Sequence, residues 1–234
     1  MKFFNKILLA STFVSSISIA AQYGDNIYYV DDFYTSAEGV KNTLSQVATG
    51  ANNSCGLTSL LFINNYYSER KVGISAPFTS NVLEAQSALS RLYSYLGQSY
   101  NTTTHFDNIK NIPKYKWQWE NTRRASSSNS LDTNIELALN NLKNDIPMLI
   151  ALKGTYSGNP VYQSGYDYKH IVIFYAYQRK QDPNGHIVTD PNNSHENDLI
   201  YYYDPYFGGN GYFKRSEISQ AVDLVNFAYL KPAE

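Results

Sequence analysis

Among 234 residues there is one cysteine, Cys55, so no disulfide can form within the chain. A disulfide-stapled scaffold is excluded, and the length is sufficient to bury a core without staples. Charge of one sign is scarce too: the formal net charge is −1, and the densest basic spot is Arg123-Arg124. A nucleic acid or an anionic membrane surface requires a clustered basic face, so neither is expected as a partner. Long apolar runs are missing as well. The stretch Ile7 to Ile19 is interrupted by Ser and Thr and falls short of the ~20 residues a spanning helix needs. With Lys2 and Lys6 around its start and Ser18-Ile19-Ala20 at its end, it reads as a secretory signal cut after Ala20. The expectation is a secreted or periplasmic chain whose mature part, residues 21–234, forms a single soluble domain.

Tyrosine, by contrast, is abundant, with 22 in the chain and clusters such as Tyr201-Tyr202-Tyr203. Tyr suits half-buried strands and equally suits exposed grooves that take peptide or sugar. Composition alone does not choose between these uses.

Hydrophobic spacing divides the chain into helices followed by strands. Ile27 to Val30 predicts a short strand, with polar sequence after it up to Ala51. A dense apolar pattern from Cys55 to about Tyr67 predicts a helix capped by Asn53 or Ser54. A second helix opens on Asn81 and Glu84 as a capping-box-like start and closes at Gly97. Residues 98–130 read as long loops with a strand or two. A third helix is predicted from Thr133 to Asn144, with Thr133 and Glu136 as its capping box. Strand patterns then cover 146–152, 170–177 and 199–203, and Tyr212-Phe213 and Val225 to Leu230 suggest more. Asp182 to Gly185 and Asp190 to Asn193 are turn signals, and so is the Gly-rich run 208–211. Helices first and strands later indicate an α+β domain with a mainly antiparallel sheet.

An odd thiol in an exported chain is an intermolecular bridge, a small buried hydrophobe or a nucleophile. A helix start favours the last reading, because the helix dipole favours thiolate and the Cys55 N–H is free to hold an oxyanion. Gly56 would let a substrate backbone approach. Of the four histidines, His186 and His195 lie in polar loops and His105 has no pattern around it. His170 opens the most apolar strand, a rigid and half-exposed place for a general base. Asp204 ends the strand 199–203, and a hairpin-like pairing would set it beside His170 to orient the ring. Asp-Pro is also ordinary turn chemistry, and the satisfied edge histidine is the plain alternative for His170.

In this order the residues resemble the papain-like cysteine peptidases, and most closely the bacterial peptidases that cleave double-glycine leaders. Cys55-Gly-Leu-Thr-Ser-Leu60 is similar to that branch's nucleophile helix start. Asn144-Asp-Ile-Pro-Met-Leu-Ile150, His170-Ile-Val-Ile-Phe174 and Tyr203-Asp-Pro-Tyr-Phe-Gly208 are similar to its later blocks. The resemblance implies a papain-like fold, a Cys55-His170-Asp204 triad, hydrolysis of a peptide or amide bond in a peptide or protein substrate, and no cofactor. It also implies a Gln several residues before the Cys as second oxyanion donor. Here the position six before is Thr49, so Gln46 is the expected donor across a short insertion, with Asn52 and Asn53 as alternatives.

Two other functions compete. A transglutaminase- or transpeptidase-type acyl transfer would use the same triad with an amine in place of water. A catalytically inactive binding module would use the Tyr-rich loops instead. A zinc site from His186, Asp190 and His195 is disfavoured, because polar loops supply such spacings by chance, and no metal is expected.

Overall fold

Phe33, Ser36, Ala37, Val40 and Leu44 recur at helical spacing and bury one face of a helix, α1 (Phe33–Leu44), that stretches across the segment read as polar sequence. Gly39, Lys41, Asn42 and Thr43 dilute the pattern, but the apolar stripe is present. The computed structural model describes residues 27–30, 32–69, 81–104, 106–109, 119–124, 138–153, 170–179 and 196–232. The expected signal segment, His105, His186, His195, both Asp-Pro-Asn turn signals and residues 133–137 lie outside them.

After α1 come α2 (Gln46–Thr49), closed by Gly50 at φ 70°, and the central helix α3 (Cys55–Glu69). Thirteen of the 15 residues of α3 are buried, so it is packed on all sides rather than along one stripe. In α4 (Val82–Tyr95), the Asn81 side chain accepts the Glu84 N–H at 3.1 Å. Gly97 takes the left-handed conformation (φ 64°) just beyond its end, as the spacing predicts. A short α5 (Phe106–Ile109) follows, and residues 138–143 form α6, burying Ala138, Leu139 and Leu142.

Among the described residues the sheet has seven strands: β1 (Ile27–Tyr29), β2 (Trp119–Arg124), β3 (Met148–Leu152), β4 (His170–Gln178), β5 (Leu199–Asp204), β6 (Gly209–Lys214) and β7 (Val222–Pro232). They run in the order β2-β7-β3-β4-β5-β6, every pairing antiparallel. β3 covers one edge of β4 from His170 to Phe174, and β5 covers the other from Ile173 to Gln178. A strand has two edges, so β1, paired with 176–178, continues along the edge that β3 leaves. Between β6 and β7 lies α7 (Ile218–Ala221). This is an α+β fold of helices followed by an antiparallel sheet.

β3 is buried throughout and β4 everywhere except Gln178. Each such apolar side chain contributes about 1.5–3 kcal/mol by leaving water. Most of the tyrosines among the described residues belong to this core or pack against it. Tyr66, Tyr93, Tyr175, Tyr177 and Tyr203 are among the largest fully buried side chains. Their hydroxyls are satisfied where the rings are buried, as burial demands: Tyr175 donates to Asn210, Tyr177 to Asp198, Tyr203 to Glu38 and Tyr93 to the Thr102 carbonyl. The Gly-rich run divides differently from expectation. Gly208 (φ 70°) ends the turn, whereas Gly209 to Gly211 lie inside β6. The Tyr202 ring lies across Gly211, its cross-strand partner, in the space a Cβ would need. No helix among the described residues is long and apolar enough to cross a membrane.

Candidate active site

The site forms where α3 begins and where β5 has not yet started to pair with β4. Ser54 shapes the helix start, its hydroxyl donating to the Ala51 carbonyl at 2.6 Å and sharing a 2.8 Å bond with Thr58. Cys55 is therefore the first residue of α3. Among the described residues no acceptor is paired with its backbone N–H, as is usual for the first turn of a helix.

Ile171 joins this helix start to the sheet. Its N–H donates to Cys55 Sγ at 3.4 Å, and its carbonyl accepts from Ser59 Oγ at 3.4 Å. Cys55 and Ser59 are one turn apart on α3 and face each other along the helix. Their side chains thus meet both backbone groups of one β4 residue in the stretch before Ile173, where β5 begins to pair. Close packing accompanies these bonds. A Cβ on Gly56 would collide with the side chains of Ile109 and Ile171, so this glycine serves the seating of α3 against α5 and β4. That replaces the expectation that Gly56 makes room for a substrate.

His170 is 1 % exposed and therefore more enclosed than the half-exposed base predicted from the sequence. Its Nε2 lies 2.7 Å from Asp204 Oδ1. The antiparallel pairing of β4 with β5 is what brings the first residue of one beside the last of the other. With Nε2–H donating to the carboxylate, Nδ1 is the ring nitrogen left for a thiol proton. Burial alone lowers the pKa of the ring. The hydrogen bond to the Asp204 carboxylate and the influence of Cys55, reinforced by their charges, overcome burial and push it up to about 9. The same Oδ1 accepts the Tyr206 N–H at 2.8 Å, so Asp204 also closes its own Asp-Pro turn. Turn chemistry and ring contact coexist in one carboxylate.

That turn docks on α2. The carbonyls of Pro205 and Tyr206 accept the N–H groups of Gln46 and Val47 at 2.9 and 3.1 Å, which are otherwise free at a helix start. The Gln46 side chain reaches the other way, its Nε2 donating to the carbonyls of Asn52 at 2.7 Å and Ala51 at 3.2 Å. Gln46 therefore bridges the Asp204 turn and the loop before Cys55. Its buried Oε1 has no partner among the described residues. Asn52 and Asn53 are exposed. Asn53 is tied to Asn101, its N–H donating to Oδ1 at 2.8 Å and its Nδ2 to the Asn101 carbonyl at 3.1 Å.

Sequence reasoning missed this outer tie, as it missed α2. Tyr100 and Asn101 follow Gly97, the one signal in that stretch, yet nothing local connects them to residues 49 and 53. Tyr93, read only as a residue within a helix, lies behind the site: its hydroxyl is raised above its ordinary range by burial and then by the charge of Cys55.

The family model described as the Peptidase_C39 like family matches residues 40–221, which span α2, α3, His170 and Asp204. No curated protein matches the chain.

Proposed function

The chain belongs to the Peptidase_C39 like family, and we propose that it is an exported cysteine peptidase using Cys55, His170 and Asp204. The observation that carries this reading is the buried His170–Asp204 pair at 2.7 Å, set next to Ile171, whose N–H donates to Cys55 Sγ at a helix start. Cys55 Sγ attacks the carbonyl carbon of a peptide bond. The imidazolium, after taking the thiol proton, gives it to the leaving amine as the C–N bond breaks. A thioester remains, and water activated by the neutral ring then releases the acid and frees the sulfur. Asp204 holds Nε2–H and offsets the positive charge of the ring.

The oxyanion is stabilised by the Cys55 N–H and one side-chain amide. Gln46 is the first candidate for that amide, at the cost of one of its two loop bonds. The Asn52 side chain makes no such bond among the described residues, and the Asn53 amide already engages Asn101. Export rests on Lys2, Lys6, the apolar stretch 7–19 and the small residues before the cut after Ala20.

Digestion of fluorescently labelled casein and of a peptide library by the mature chain tests the reading. Cys55→Ala is expected to abolish cleavage while the circular dichroism spectrum stays unchanged. Cleavage that survives in this variant would contradict it.

A further inference from the structure

Asn101 is 46 positions beyond Cys55, yet it holds the loop from which the nucleophile helix starts. Resting on the peptidase reading above, we propose that Asn101 is a positioning residue that sets the oxyanion donors, not the sulfur. The loop before Cys55 is pinned from two sides. On the inner side Gln46 fixes the carbonyls of Ala51 and Asn52, and Ser54 N–H donates to the Ala51 carbonyl at 3.0 Å. On the outer side Asn101 takes the Asn53 N–H with its side chain and the Asn53 amide with its carbonyl. These bonds orient the peptide planes just before the one that carries the Cys55 N–H, and they hold the backbone from which the Asn52 side chain projects. The sulfur is held differently, by the Ile171 N–H.

Asn101 is a firm anchor because its neighbours are fixed. Tyr100 donates to the Thr49 carbonyl at 3.2 Å, a carbonyl that Gln86 also meets at 3.0 Å. Tyr93 donates to the Thr102 carbonyl at 3.0 Å and packs edge-on against Tyr100. Asn101 itself sits at φ 63°, a left-handed conformation that Asn and Asp tolerate better than other side chains with a Cβ. The residue type suits both the backbone bend and the acceptor facing Asn53.

Acylation needs the oxyanion donors, whereas alkylation by iodoacetamide displaces iodide at sp³ carbon and develops no oxyanion. The two reactions therefore separate the roles. In the mature chain, Asn101→Ala and Asn101→Gly should each lower kcat for p-nitrophenyl acetate by roughly ten- to a hundredfold with KM unchanged. Both should alkylate at Cys55 at the wild-type rate. Asn101→Gly keeps the left-handed backbone and Asn101→Asp keeps the acceptor, so only the latter should restore kcat. Wild-type kcat in the Gly variant, parallel loss of alkylation and hydrolysis, or no rescue by Asp would each overturn this role. A wild-type chain that alkylates normally but never turns over ester or peptide would overturn the peptidase reading and this role with it.

Discussion

The strand-borne part of the site and the loop-borne part are held by different kinds of bonds. His170 and Asp204 are the ends of β4 and β5, and the antiparallel backbone ladder that begins at Ile173 and Tyr203, with one irregularity between Phe174 and Ala176, sets their register. The loop from Gly50 to Ser54 has no ladder. It is positioned by side chains on α2, α4 and the 97–104 segment, some reached across 48 residues of chain. A ladder shares its restraint over many bonds, so single substitutions nearby disturb it little. A loop tied by individual side chains concentrates the restraint, and single substitutions there are expected to alter chemistry before stability.

The largest effect on the strand side should come from removing the charge that orients His170. Asp204→Asn leaves the Tyr206 N–H an acceptor but does not favour the same tautomer or the imidazolium. By analogy with other triads kcat should fall by roughly 10²–10⁴-fold, with little change in melting temperature. A variant with wild-type kcat would show that the ladder alone places the ring.

On the loop side, Gln46→Ala and Asn52→Ala compare the two side-chain amides. Loss of an oxyanion donor should lower kcat by about 10²–10³-fold, so the larger fall in steady-state kinetics identifies the donor. Gln46→Ala also frees two loop carbonyls and should lose stability in urea unfolding, which Asn52→Ala should not. Equal, small changes in both would remove the side-chain donor from the mechanism.

The raised His170 pKa sets a pH dependence confined to the strand side. The ring is held above its ordinary 6.5 at about 9, so its contribution to folding is fully present below about pH 6.5 and lost as pH rises through about 9. Cleavage should fall over the same alkaline limb, because a neutral ring has no proton for the leaving amine. Asn101→Ala should leave the position of that limb unchanged. A limb absent from the wild type would argue against the Asp204 bond and the Cys55 charge acting on the ring.

The smallest effect on chemistry is expected at the seat of α3. Gly56→Ala pushes a methyl into Ile109 and Ile171, an overpacking that should cost about 1–3 kcal/mol in denaturant unfolding. Unaltered stability would mean that α5 yields freely.

The same contrast explains what could be read from the amino-acid order. β4 and β5 were legible because His170-Ile-Val-Ile-Phe174 and Leu199 to Tyr203 are β-branched and aromatic runs, consecutive in the chain and separated by turn signals. The start of α3 was legible from Ser54, Cys55 and the apolar residues behind them. α1 and α2 were not, since polar residues interrupt the stripe of Phe33, Ala37, Val40 and Leu44. Gln46 was named as a donor, yet its bridging of turn and loop depends on the tertiary placement of α2. The Asn53–Asn101 tie carries no periodicity and no local motif, so only the fold reveals it. The role of Gly56 was likewise invisible, because Ile109 and Ile171 reach it from distant parts of the chain.

The rate at which iodoacetamide alkylates Cys55 at pH 7, in the wild type and in His170→Ala, tests most directly whether sulfur and ring act together. The wild-type thiol should react faster than free cysteine, and the substitution should abolish that advantage. A wild-type rate at or below that of free cysteine, or one that His170→Ala leaves unchanged, would contradict the catalytic pairing.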